Sequence, residues 1–469
     1  MLGSKSSHST FRTWSMSNFR LLSRSAWLLL AGCLWACGSD WRPARNLVFI
    51  SLDTTRRDHL TSYGYPRATA PTVDGLSRRS AVFENVYAQS THTSPSHATM
   101  FTGVYPHLHG VRFNGERLDQ SRATLAEVLS QRGFQTAAFV SGYTLRSDAS
   151  DLNRGFEVYE SDFQGLRRDG RLTTDLAVEW LRKRKPGDRY FLFLHLFDAH
   201  GPYRPGGHYA RLFESPDPGP VLDRIPKYQW NFDANGKLVR NLNAYVDAYD
   251  AMIRYADDQI ARVLDEVDFN DTVVVVTADH GETLGERYQK LDHGTQLFEE
   301  QIRIPLVLWE PRGSPRRIEA AVETTDLVPT LLELLGIPSP SNLAFQGRSL
   351  VPLLRGQRLP AKSAVFSSAD AEAHHDDRGY RLDPKRRIHS VRSSRWKLIL
   401  YPGRASDYVE LYDLEDDPGE RRNVANEFPE VRDGYLQMLA DWLGSSGDAP
   451  RQDIDPDVHE RLRELGYFQ

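Results

Sequence analysis

The chain is 469 residues long, enough for one large α/β domain and a smaller one, because a single hydrophobic core seldom grows past about 250–300 residues. With 40% hydrophobic and 26% charged residues it has a folded globular composition, which excludes wholesale disorder. Its net charge of −5 gives no electrostatic footing for general nucleic-acid binding, so no nucleic acid is expected as a partner.

Residues 1–37 read as an export signal. Arg20 and Arg24 precede the apolar run from Ala26 to Ala36, too short to span a bilayer as a packed helix but suited to export. Met16 stands before the basic residues and is a second candidate start. Both cysteines of the chain, Cys33 and Cys37, fall in this segment. The stretch Leu30-Ala31-Gly32-Cys33 and the stretch Leu34-Trp35-Ala36-Cys37 each resemble a bacterial lipoprotein signal, so one of the two cysteines is expected to carry a lipid anchor to the membrane. That places the protein in the cell envelope, exported to the periplasm or outer surface. No cysteine is left for a disulfide or a Cys-ligated zinc site in the folded part.

From residue 46 the pattern becomes α/β. NLVFISL, Asn46 to Leu52, is the continuous β-prone run of a strand buried on both faces. Similar runs are expected as strands at Phe134–Val140, Arg189–Phe197, Thr272–Thr277 and Leu306–Trp309, with helical patterns between them, such as Val246–Val267. This alternation predicts a large domain, 45–345, around a central mainly parallel or mixed sheet flanked by helices. The Gly-, Pro- and Tyr-rich stretch 202–243 is expected to run over the surface as a binding loop. From 346 to 469 the pattern changes to a small antiparallel sheet, Arg387–Val391, Trp396–Tyr401 and Tyr408–Leu414, with a packed helix over Pro429–Leu443. The polar stretch 366–387, with His374, His375, Asp376 and Asp377, reads as a loop and more weakly as a metal site.

Four places can carry chemistry. Asp53 follows the first buried strand, where ligands of open α/β sheets gather, and Arg56 can face an anion in the next turn. THTSPSHATMFTG, Thr91 to Gly103, sets hydroxyls around Pro95, and a helix is expected from Ala98 with Ser94 or Ser96 as its cap. A hydroxyl at that helix end, held against a metal, is a candidate nucleophile. VVVVTADHGETLG, Val273 to Gly285, brings Asp279 and His280 to the end of another buried strand, with Gly281 allowing a sharp turn, and Asp292-His293-Gly294 follows. On FLFLHLFDAHGPY, alternation turns His195 inward as a supporting residue, while Asp198 and His200 lie beyond the strand and are expected to be more exposed, with His200 the better candidate for a leaving group.

Taken together, LDTTRRDHLTSYGY, TSPSHATMFTGVYPHLHG, TADHGETLG with LDHG, LFEEQIRIPLVLWEP, TTDLVPTLLELLGI, GRSLVPLL and RSSRWKLILY with ELYDLEDDPGE resemble the sulfatase branch of the alkaline phosphatase superfamily over nearly all of 45–445. The resemblance implies Asp53, Asp279 and His280 as metal ligands and Thr93 at the nucleophile position, where it is also expected to bind the metal. It implies His200 and His293 as catalytic partners, with Arg56 and His97 facing substrate. Two departures matter. A typical sulfatase has cysteine or serine at position 93, oxidised to formylglycine, and arginine at 97, whereas this chain has Thr93 and His97. No formylglycine is therefore expected. His280 stands where calcium sulfatases usually have asparagine, and imidazole favours manganese or zinc as the one divalent ion, with calcium as the alternative. Asp198, His200 and His293 are weaker candidates for a second ion.

The resulting expectation is a metal-dependent hydrolase of sulfate- or phosphate-type esters, with a phosphodiester or phosphonate ester favoured. Its substrate would be a small anionic ester or a glycan or lipid head group. The alternatives are a strict sulfuric ester hydrolase, an envelope phosphoglycerol or phosphoethanolamine transferase, and a non-catalytic binding protein.

Overall fold

In the computed structural model the described residues are 42–469, apart from 224, 234, 288–289, 341–342, 371–381, 384–385, 445–451, 466 and 468–469. The chain divides into two units, 1–42 and 43–469, and every element named below lies in the second. The export and lipidation segment lies outside the described residues, as do His374, His375, Asp376 and Asp377.

β1, Asn46–Leu52, is buried along its whole length. Its alternation sends Leu47 and Phe49 into one apolar cluster and Val48, Ile50 and Leu52 into another, so both faces of the sheet are covered and the unbroken apolar run is explained. The other strands of this sheet are β2 (Ala81–Tyr87), β3 (Gln135–Val140), β4 (Val158–Glu160), β5 (Tyr190–Leu196), β6 (Thr272–Ala278), β7 (Leu306–Trp309) and β8 (Arg316–Glu323). They lie in the order β8-β2-β7-β6-β1-β5-β3-β4, with the short strand Arg303–Ile304 paired to β2. β1 runs parallel to both β5 and β6, while β7 is antiparallel to β6 and β2. The sheet is thus mixed, with its parallel centre at β5-β1-β6.

Helix α1, Thr93–Thr102, packs Ala98, Met100 and Phe101 on one face of the sheet. Helix α2, Leu242–Leu264, packs Tyr245, Tyr249, Ile253 and Ile260 on the other. Beyond the sheet, β9 (Val365–Asp370), β10 (Arg387–Arg392), β11 (Trp396–Tyr401) and β12 (Tyr408–Asp413) form an antiparallel four-stranded meander. Helix α3, Pro429–Gly444, lays Leu439 into its apolar face. A last helix, α4, covers Pro456–Glu464.

Two expectations are corrected here. Residues 366–370 form a strand rather than part of a loop: all six residues of β9 pair with β10. The sequence VFSSAD hides this because its serines are satisfied by particular partners, Ser367 donating to the Ala88 carbonyl at 2.6 Å and Ser368 lying 2.9 Å from His389 Nδ1. The helix after the hydroxyl cluster begins at Thr93, with His92 as its N-cap, and not at Ala98. Pro95 is tolerated inside the first turn because an amide there would have had no intrahelical acceptor. The serines tie the helix outward instead of capping it: Ser94 Oγ donates to the Thr144 carbonyl and Ser96 Oγ to the Asp279 carbonyl, each at 2.7 Å.

Candidate active site

The carboxyl ends of β1 and β6 lie side by side, which brings Asp53 and Asp279 together across 226 positions of sequence. The amino end of α1 faces them. Thr93 Oγ1 donates to Asp53 Oδ2 at 3.4 Å, and the first turn of a helix favours negative charge at this spot. Ligand atoms of Asp53, Asp279 and His280 all lie within 4.8 Å of one another, and all three residues are buried. The Thr54 amide donates to Asp279 Oδ1 at 3.1 Å, with Thr54 at φ 50. A threonine in the left-handed region costs about 1–3 kcal/mol, so the turn after β1 is held in a strained form beside the cluster. Gly281 is needed for closeness: a Cβ there would sit 2.0 Å from the Glu300 carbonyl oxygen.

The donor set fits a cation. Asp53 Oδ1, Asp279 Oδ2 and His280 Nε2 are buried and have no hydrogen-bond partner among the described residues, a costly arrangement unless something positive lies between them. Burial pushes the Asp53 carboxyl well up, and the neighbouring Asp279 charge adds to it. Two carboxylates out of water, converging without a counter-charge, are the electrostatic form of a metal site. A second trio, His97, His195 and Asp279, is also close enough to hold an ion. Of its imidazoles, His97 is committed elsewhere, with Nε2 2.8 Å from Ser51 Oγ and Nδ1 2.8 Å from the Thr93 carbonyl, while His195 has Nε2 3.0 Å from Asp53 Oδ2 and a buried Nδ1 without a partner among the described residues. These histidines orient Thr93 and Asp53 from behind, as outer partners of a metal centre do.

The other side is roofed by imidazoles. His200 and His293 have ring centroids 4.8 Å apart, and His293 stacks 4.9 Å from His280. His293 Nδ1 lies 3.2 Å from Glu282 Oε1. Burial alone would lower the His293 pKa, but the Glu282 carboxylate, with Asp292 behind it, holds it above the usual value. His200 is lowered well below the usual range, by burial first and then by His293. Its Nδ1 is 2.7 Å from the Gly201 carbonyl, which can only accept, so Nδ1 carries the proton and Nε2 is an acceptor. One imidazole is thus set to hold a proton and its neighbour to take one.

The expected exposure of Asp198 and His200 is not found. They are 6% and 0% exposed, because Asp198 packs closely against Gly170 and the His200 ring is stacked by Phe197 at 4.1 Å and approached by Tyr228. Within the stretch 202–243 Tyr203 donates to Glu282 Oε2 at 3.1 Å, Gln229 Nε2 donates to the Tyr203 hydroxyl at 3.3 Å, and the Tyr228 ring lies 6.1 Å from His200. Asp198, pushed up to about 7 by burial, binds the Gly170 amide at 3.1 Å, and neither named trio of ligand atoms includes it. Arg56 gives its guanidinium to both oxygens of Asp58, to Glu286 and to the Glu282 carbonyl, and so spends its donors away from Thr93.

Sequence reasoning missed two residues. Asn114 accepts from the Ser94 amide at 2.8 Å, and its buried Nδ2 has no partner among the described residues. Tyr467 places its hydroxyl 3.2 Å from His293 Nε2 and 3.4 Å from His200 Nε2. Neither stands in a motif, and Tyr467 is 267 positions from His200. The only local signal was the short amphipathic pattern before it.

Comparison with known proteins identifies a family and a shared fold. The family model described as Sulfatase matches residues 45–337, and one described as N-sulphoglucosamine sulphohydrolase, C-terminal, matches 291–440. Arylsulfatase K of Xenopus laevis is 27% identical over 443 residues, covering 83% of this chain and 79% of its own. The Delta 4,5-hexuronate-2-O-sulfatase of Bacteroides thetaiotaomicron is 25% identical, covering 93% and 96%. The crystal structure of the phosphonate monoester hydrolase of Agrobacterium radiobacter superposes with a TM-score of 0.70 at 22% identity, covering 86% of this chain and 96% of that one, which shows a shared fold.

Proposed function

The chain belongs to the sulfatase family of hydrolytic enzymes, and from that premise we propose that it cleaves a sulfate- or phosphate-type ester with Thr93, unmodified, as the nucleophile. The carrying observation is the single cluster in which the Thr93 hydroxyl, Asp53, Asp279 and His280 meet at the amino end of α1. Asp53, Thr93, Asp279 and His280 would hold one divalent ion, which would lower the pKa of the Thr93 hydroxyl and neutralise oxygens of the ester. The mixed carboxylate and imidazole set favours manganese or zinc over calcium.

The chain's own residues supply the rest. Asp53 accepts the Thr93 hydroxyl hydrogen bond and aims the oxygen, and His195 fixes Asp53. Thr93 Oγ1 passes its proton to Asp53 Oδ2 and attacks the sulfur or phosphorus, the bond to the leaving oxygen breaks, and the group is carried on Thr93 until water displaces it and Asp53 returns the proton to Oγ1. His293, whose hold on a proton Glu282 strengthens, gives its Nε2 proton to the leaving oxygen. His200, neutral with Nε2 as an acceptor, takes a proton from the water that releases the group. Burial of all these groups keeps bulk water from competing.

A phosphodiester or phosphonate ester is favoured because an unmodified threonine with His280 departs from the formylglycine arrangement. The names of the sequence relatives, which carry sulfatase activities, support the sulfate ester as the second reading, on a glycan or other small anionic ester. Turnover of bis-aryl phosphate, aryl phosphonate and aryl sulfate by manganese-loaded protein decides between them: sulfate turnover alone sinks the favoured reading. Among the described residues no helix is long and apolar enough to cross a membrane. Export with a lipid on Cys33 or Cys37 stays part of the proposal, and the mass of the mature amino terminus tests it.

A further inference from the structure

We propose that Tyr467 is a substrate-contacting residue, delivered by the C-terminal helix α4, whose hydroxyl donates a hydrogen bond to an oxygen of the group being transferred to Thr93. This rests on the hydrolase reading above and deepens it.

One oxygen atom meets two groups that must both address the ester. The Tyr467 hydroxyl lies 3.2 Å from His293 Nε2 and 3.4 Å from His200 Nε2, and its ring lies beside His92, the residue before Thr93. The nucleophile and the two imidazoles come from α1, from the end of β5 and from the loop after β6. An ester oxygen that Thr93 and both imidazoles address lies beside this hydroxyl, close enough to accept its hydrogen bond. Meanwhile neither residue expected to contact substrate has a donor aimed there. His97 is engaged by Ser51 and the Thr93 carbonyl, and Arg56 by Asp58, Glu286 and Glu282. Tyr467 supplies the neutral donor that those two do not.

The residue is also firmly seated. α4 is capped by Asp455, whose side chain accepts from the Asp457 and Val458 amides, with Pro456 in the first turn. Val458, Leu462 and Leu465 pack with Phe113, Tyr143 and Phe197 in one apolar cluster that includes Tyr467. Gly115, at φ +90, lets the helix approach so closely that a Cβ there would stand 2.9 Å from Ile454 and 3.0 Å from Leu462. The Tyr467 ring lies 5.8 Å from His92, the residue before the nucleophile, and 5.7 Å from His293. A phenol held in this way keeps its proton through the reaction. Its hydrogen bond strengthens as negative charge grows on the ester oxygen, which is how a preorganised donor lowers a barrier.

The test compares manganese-loaded full-length protein with Tyr467→Phe, which keeps the ring and its packing, on bis-aryl phosphate, aryl phosphonate and aryl sulfate. Loss of one such donor should lower kcat about 100-fold with KM, metal content and melting temperature little changed. Orthovanadate, titrated calorimetrically, should bind Tyr467→Phe at least several-fold more weakly. Equal turnover and equal vanadate binding would overturn the proposal. So would faster turnover, which would make Tyr467 a plug. If the unaltered protein is inert on the whole panel, the hydrolase reading fails on that count, while the vanadate comparison still decides whether Tyr467 touches an oxyanion.

Discussion

The floor and the roof of the site are built in different ways. Asp53, Thr93, Asp279 and His280 stand at the ends of β1 and β6 and the start of α1, rigid elements whose side chains are oriented by backbone register. His200, His293 and Tyr467 come from a loop after β5, a loop after β6 and a segment beyond the last helix, and they meet through one phenol oxygen. A floor fixed by a parallel sheet can be exacting about geometry, while a roof made from loops and a helix can set substrate choice and proton traffic.

The sharpest break falls on the floor. Thr93→Ala removes the proposed nucleophile and is expected to lower kcat at least about 1,000-fold, with the melting temperature nearly unchanged because only a hydroxyl and a methyl are lost. Asp279→Asn should come next. It removes one of two converging carboxylates, so bound metal, measured by elemental analysis, and turnover should fall together, and added manganese should restore activity only in part. A variant that keeps both metal and rate would separate Asp279 from the centre.

The roof should respond in pH rather than in extent. Glu282 holds the His293 pKa above its usual value, so the proton His293 donates is present below that raised pKa and lost as pH rises through it. Glu282→Gln removes the partner and should move the alkaline limb of the kcat profile to lower pH. A limb that stays in place would assign it to another group. The smallest effect is expected where the floor is braced: Ser96→Ala deletes the bond to the Asp279 carbonyl and should cost about 1 kcal/mol of stability, read by denaturant unfolding, with little change in turnover.

The same contrast explains what could be read from the sequence. The strands β1 and β6 were legible because both their faces are buried, and their terminal acids were legible because they sit beside those strands. β2, with Glu84 and Asn85 in its middle, and the charged edge strand β8 gave no such pattern. The roof was only half legible. His200 and His293 stood in motifs, but their burial depends on Phe197, on the stretch 202–243 and on Tyr467, none of which local periodicity connects. Arg56 shows the opposite failure: a cation near an anion site in sequence spends its donors on Asp58 and Glu286 in space.

The central claim is that an unmodified threonine takes up the transferred group. Rapid acid quenching of the manganese-loaded enzyme during turnover, followed by peptide mass analysis, tests it most directly. The account predicts that the peptide containing Thr93 gains one phosphoryl or sulfuryl group, and that Thr93→Ala abolishes the adduct. Turnover with the group attached to another residue, or with Thr93→Ala fully active, would contradict it.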